Sequence, residues 1–104
     1  SDSSALEVKE FTEELCIGVQ KNLKEIDALL EKYSTNWKLE RMAAVDRNIL
    51  RLGAFELCYE EKIPHSVTIN EAVEIAKKFG TEESAGFING ILDKIAKEYV
   101  KRGM

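Results

Sequence analysis

Residues Arg41 to Tyr59, RMAAVDRNILRLGAFELCY, place apolar, Gly and Ala side chains almost all the way round a helical wheel. A helix of that kind has no broad face to give to water and belongs in the middle of a bundle. Its polar residues fall on a narrow seam. Arg47 and Arg51 lie one turn apart on one face, while Asp46 and Glu56 sit off that line. Arg47, Arg51 and Glu56 read as ion pairs within the bundle. The stretch contains no nucleophile paired with a base and no set of metal ligands. It describes a core helix with a polar strip.

Upstream of this helix, Val8, Phe11, Leu15, Val19, Leu23, Ile26, Leu30 and Tyr33 recur at steps of three or four. That is the signal of an amphipathic helix, opened by the capping-box pattern Ser4-Ala5-Leu6-Glu7 and bounded at roughly 5–32. A bend is expected near Gly18 to Asn22. Ser34-Thr35-Asn36 breaks the pattern with residues that favour turns, and Trp37 is expected to pack over the bundle end. The central helix is expected over 41–60. Pro64 biases Ile63 away from helix, so Lys62 to His65 reads as a connection with His65 exposed in it.

Thr68-Ile69-Asn70-Glu71 repeats the capping-box pattern and predicts a helix over 68–79 with Ile69, Ala72, Val73, Ala76 and Phe79 on its apolar face. Gly80 is its stop. Thr81 is expected to cap a last helix over 82–100, with Glu82 and Glu83 in the first turn, where the helix dipole favours negative charge. Its apolar face is Phe87, Ile88, Ile91, Leu92, Ile95 and Tyr99. Gly86-x-x-x-Gly90 reads as a thin ridge on which another backbone can approach. No segment alternates with period two between hairpin turns. The expected fold is an all-α bundle of about four to five helices in one domain, 1–104.

Composition agrees with that class. The chain has 104 residues, 44% of them hydrophobic, with one Pro and six Gly, enough for a single core. The formal net charge of −4 is the wrong sign for nucleic-acid binding by bulk electrostatics, so an RNA site would have to be local. No apolar run reaches the length of a membrane span. Ser1-Asp2-Ser3-Ser4 has no signal-peptide character and no initiating Met, as expected of a fragment or a processed chain. Cys16 and Cys58 lack a C-x-x-C pattern and read as buried free thiols in a reducing, cytoplasmic compartment. No cofactor or metal is expected. Glu60-Glu61, Glu71-Glu74 and Glu82-Glu83 read as solvated faces and helix starts, and no enzyme is indicated.

The order of particular words is more specific. Val45-Asp46-Arg47-Asn48-Ile49-Leu50-Arg51-Leu52 comes first, then Phe55-Glu56-Leu57, Ile63-Pro64, Ile69 to Lys77 (INEAVEIAK) and Phe87 to Asp93 (FINGILD). This run closely resembles the NusB family of bacterial transcription antitermination factors. The resemblance is strong from Trp37 to Glu98 and continuous from about Phe11. It implies a non-enzymatic factor that pairs with NusE, a small-subunit ribosomal protein. Together the two hold a boxA-type element of nascent ribosomal RNA and act indirectly on RNA polymerase. The matching part of the family fold is the second of two helical bundles and the helix leading into it. A related domain attached to some rRNA cytosine methyltransferases is the alternative, as is a module that binds protein only.

By the same resemblance, the RNA face falls on Lys32 and Tyr33 and on the region of Glu83, Ser84 and Phe87, where an aromatic ring can stack on an unpaired base. The NusE-facing surface falls on Asp46. Family members begin with an arginine-rich segment and two further helices that have no counterpart here, and such segments supply phosphate contacts. Gly86 stands where members often carry a lysine. Without the leading helices, apolar surface on the first helix is expected to be hidden by a homodimer or domain swap.

Overall fold

The computed structural model describes residues 17–34, 42–60 and 62–103, with side chains up to Glu98. Helix α1 spans Leu23–Tyr33, α2 Ala44–Tyr59, α3 His65–Phe79 and α4 Ser84–Gly103, and residues 17–21 form a helical turn ahead of α1. No strand occurs among the described residues, and the all-α bundle expected from the sequence is the fold observed. The Ser4–Glu7 cap, Val8, Phe11, Leu15, Cys16, the Thr35-Asn36 turn, Trp37 and the side chain of Tyr99 lie outside the described residues.

The first helical pattern breaks at Asn22, inside the predicted bend. Asn22 leaves helical geometry at φ −109°, ψ 16°, and its side-chain amide donates to the Gly18 carbonyl at 2.9 Å. Asn side chains compete in this way with the helical backbone ladder. Gly18 is required there because a Cβ would run into the Phe55 ring of α2. At the other end of α1, the buried Ser34 donates both its hydroxyl (2.7 Å) and its backbone N–H (2.9 Å) to the Leu30 carbonyl.

α2 touches each of the other three helices. Ile49, Leu50, Ala54, Phe55 and Leu57 enter one core with Ile26 and Leu30 of α1, Ala72 and Ala76 of α3, and Ile88, Ile91, Leu92, Ile95 and Ala96 of α4. Each large aliphatic chain so buried contributes about 1.5–3 kcal/mol. α2 and α4 approach closely at Gly53, where a Cβ would lie 2.8 Å from Leu92 Cδ1. Even so, α2 is not enclosed on every side. Val45, Leu52 and Tyr59, spaced by seven, are 39%, 37% and 41% exposed, since three helical neighbours leave one stripe of a cylinder uncovered.

Three further expectations are corrected. α3 begins at His65, with Pro64 in the N-cap position. Proline disfavours helix in the residue before it, not after it, and its missing N–H is no loss at a helix start. His65 is therefore a half-buried first helical residue and not an exposed loop residue, and Thr68 lies inside the helix, 2% exposed. Phe79 is not on the buried face. As the last residue of α3 it is 69% exposed. Nor do Gly86 and Gly90 form a contact ridge for another helix among the described residues, where a Cβ at either position would meet nothing within 4 Å.

Candidate nucleic-acid and partner interface

The start of α4 is built from Thr81 to Phe87. Ser84 is 1% exposed. Its hydroxyl accepts the Thr81 N–H at 2.9 Å and pairs with the Thr81 hydroxyl at 3.1 Å, while its own N–H donates to the Thr81 carbonyl at 3.1 Å. These bonds close a tight turn from Thr81 to Ser84, of the kind that short hydroxyl side chains favour. Glu82 and Glu83 thus occupy a turn that precedes α4 and not its first turn, and the helix begins at Ser84. Gly80 is a glycine for the same reason. Its backbone is extended (φ −98°, ψ −167°), and a Cβ there would lie 2.6 Å from the Ser84 hydroxyl oxygen.

That turn faces the beginning of α2 across a cavity of about 210 Å³ lined by Met42, Ala43, Asp46, Thr81, Glu83, Ser84 and Phe87. Two sets of residues assigned to different partners, Asp46 on one side and Glu83, Ser84 and Phe87 on the other, therefore share one concave surface. Ser84 positions the turn from inside, Glu83 is exposed, and Phe87 is half-buried, one part against the core and one part lining the cavity. Asp46 sits in the first turn of α2, where the helix dipole stabilises its charge. Its Oδ1 is buried and accepts no hydrogen bond among the described residues. A buried acceptor left unmatched is costly and is relieved by a donor from outside.

Lys32 and Tyr33 form a second, separate place, at the end of α1, and neither lines that cavity. The Lys32 ammonium donates to Glu98 Oε1 of α4 at 3.3 Å and stands 5.3 Å from the centroid of the Tyr33 ring. Tyr33 is half-buried against the core, and its hydroxyl oxygen is buried without a hydrogen bond among the described residues. The ring is thus part bundle cap, with a cation across it.

The polar strip of α2 serves the bundle. Arg51 grips Asp27 of α1 with two parallel bonds, Nε to Oδ1 and Nη2 to Oδ2, both 2.9 Å, and the Tyr59 hydroxyl donates to Glu25 at 2.7 Å. Glu56 is in no ion pair among the described residues but accepts a hydrogen bond from the buried Thr68 hydroxyl at 3.0 Å. Burial pushes the Glu56 carboxyl above the ordinary carboxylate range. The nearby Glu71 and Glu60 push the same way, and the Thr68 bond pulls against them. Cys58 is half-buried and forms no disulfide among the described residues. No group of three or more His, Cys, Asp or Glu suited to a metal occurs among the described residues, and no described helix is long and apolar enough to cross a membrane.

Comparison with known proteins adds the following. The family model described as NusB family matches residues 2–97. The transcription antitermination protein NusB of Myxococcus xanthus is 57% identical over 86 residues, which are 83% of this chain and 61% of that protein. NusB of Thermodesulfovibrio yellowstonii is 51% identical over 94 residues, 90% of this chain and 62% of its own length. The chain therefore spans about three fifths of these curated relatives. Among solved structures, T. maritima NusB superposes with a TM-score of 0.85 at 51% identity, over 88% of this chain and 65% of that one. A structure of the antitermination factors NusB and NusE in complex with dsRNA gives a TM-score of 0.78 at 31% identity, over 86% of this chain and 66% of that one.

Proposed function

Because the chain belongs to the NusB family, we propose that it is the bundle of a transcription antitermination factor that binds NusE and a boxA-type RNA in the cytoplasm, without enzymatic activity, and reaches RNA polymerase only through that assembly. One observation carries the reading: Asp46, Glu83 and Phe87 meet in one cavity between α2 and the start of α4. Asp46 offers a buried, unmatched carboxylate oxygen, suited to a Lys or Arg from a basic ribosomal protein. Phe87 offers a half-buried aromatic ring on which an unpaired base can stack, a contact worth roughly 1–3 kcal/mol. Lys32 and Tyr33 supply a second RNA contact at the end of α1. The exposed stripe of Val45, Leu52 and Tyr59 supports self-association, which light scattering over a concentration series tests; a monomer throughout would count against it.

Two variants test the central assignment. Asp46→Ala is expected to weaken NusE binding while leaving the thermal midpoint nearly unchanged, and Phe87→Ala to weaken RNA binding in the presence of NusE. If NusE and RNA affinities are the same in both variants as in the parent chain, the cavity is not the interface.

A further inference from the structure

Lys32 and Tyr33 are the residues of α1 assigned to RNA, yet both are already engaged within the fold. Lys32 sits with its side chain 58% exposed, free to move as far as sterics go, but its ammonium is 3.3 Å from Glu98 Oε1. The same ammonium lies 5.3 Å from the Tyr33 ring centroid, within the range of a cation–π contact. Glu98 comes from α4, 66 residues away in sequence, and its side chain is only 26% exposed, so it is the anchored partner of the pair. A carboxylate on an ammonium occupies the position that an RNA phosphate would take, since both are oxyanions accepting from the same donor. A cation held over the ring also occupies the ring face on which a base would stack.

We propose that Glu98 sets RNA access at the end of α1: its carboxylate clasps Lys32 across the Tyr33 ring, and RNA binds there by exchanging that carboxylate for a backbone phosphate. The inference rests on the reading of Lys32 and Tyr33 as RNA contacts. It requires the clasp to be weak enough to open. An ion pair between partly exposed side chains is of that kind, because water and salt offset most of its attraction. The clasp also gives selectivity. A ligand without a phosphate beside the stacking base has nothing with which to displace Glu98.

The test compares Glu98→Gln with Glu31→Gln in titrations of a boxA-type RNA against the chain with NusE, at several salt concentrations. Glu31 is exposed and adjoins Lys32, so its variant makes the same change in net charge at the same helix end. Glu98→Gln is expected to tighten RNA binding by about two- to fivefold, the scale of a surface ion pair. It is also expected to steepen the dependence of log K on log salt by about 0.7, because the carboxylate displaced in the parent chain takes up a cation that offsets the one released from the phosphate, and the variant has no such carboxylate. Glu31→Gln is expected to change the slope much less. Equal effects of the two variants, or weaker binding by Glu98→Gln, overturn the clasp. Lys32→Ala and Tyr33→Ala keep the two failures apart. If neither lowers affinity, the end of α1 is not an RNA contact at all. If both do and Glu98→Gln brings no gain, only the clasp is wrong. Independently of RNA, the Lys32 ε-methylene protons are expected upfield, under the Tyr33 ring current, and to return towards the free-lysine position in Glu98→Gln; an unshifted resonance in the parent chain also overturns the clasp.

Discussion

Replacing Thr68 by Val isolates the bond that ties α3 to α2. Thr68 is 2% exposed, and Val has nearly its shape, so the change opens no cavity. What is lost is the hydroxyl that donates to Glu56 Oε2 at 3.0 Å. A hydrogen bond to a charged acceptor is worth about 1.5–3 kcal/mol, and here water can reach the half-buried Glu56 and replace part of it. The expected net loss is about 1–2 kcal/mol, or roughly 5–10 °C in Tm for a domain of this size. Chemical denaturation of Thr68→Val, with Thr68→Ser as the control that keeps the hydroxyl, measures it. The loss should also depend on pH. The Glu56 carboxyl is raised in the folded state, so its contribution to stability is full below its unfolded value of 4.5 and is lost as pH rises through the folded value. The Thr68 bond favours the ionised form. Removing it raises the folded value further, so the penalty of Thr68→Val is greatest at neutral pH and shrinks on acidification. A penalty below about 0.3 kcal/mol at pH 7, or one that grows towards acid, would refute this account of the α2–α3 contact.

Glycine substitutions should split by location. Gly18→Ala drives a methyl into the Phe55 ring and is expected to cost about 1–3 kcal/mol in denaturant unfolding, whereas Gly90→Ala, with nothing among the described residues within 4 Å of the new Cβ, is expected to stabilise by about 0.5–1 kcal/mol through helix propensity alone. Arg51→Lys keeps the charge but loses the two-pronged grip on Asp27; both side chains are about a quarter exposed, so the expected loss is about 1 kcal/mol after solvent screening, readable as a shift in denaturation midpoint.

The helices themselves were legible in the chain because apolar periodicity is local: the stripes that include Ile26 and Leu30, or Ile88, Leu92 and Ile95, recur within one or two turns and end up in the core. The break at Asn22 was legible for the same reason. Local words misled where a distant partner decides the outcome. Thr68-x-x-Glu71 has the form of a helix start, but Glu56, twelve residues upstream, takes the Thr68 hydroxyl inside a helix that begins at His65. Gly86 and Gly90 suggested a contact ridge, while the close approaches occur at Gly18 and Gly53, where the partner ring or side chain comes from another helix. In the candidate site, Asp46, Glu83 and Phe87 could be singled out individually, but their meeting in one cavity depends on how α2 crosses the start of α4. Glu98, the partner of Lys32, carried no local signal at all.

The central claim is that RNA recognition by this bundle is completed by NusE. The most direct measurement is a titration of a boxA-type RNA with the 104-residue chain, with and without NusE, at low and moderate salt. The account predicts weak, strongly salt-dependent binding by the acidic chain alone and specific binding once NusE is present, reduced by Phe87→Ala. Intact NusE binding with no RNA binding under any of these conditions would contradict it and reduce the chain to a module that binds protein alone.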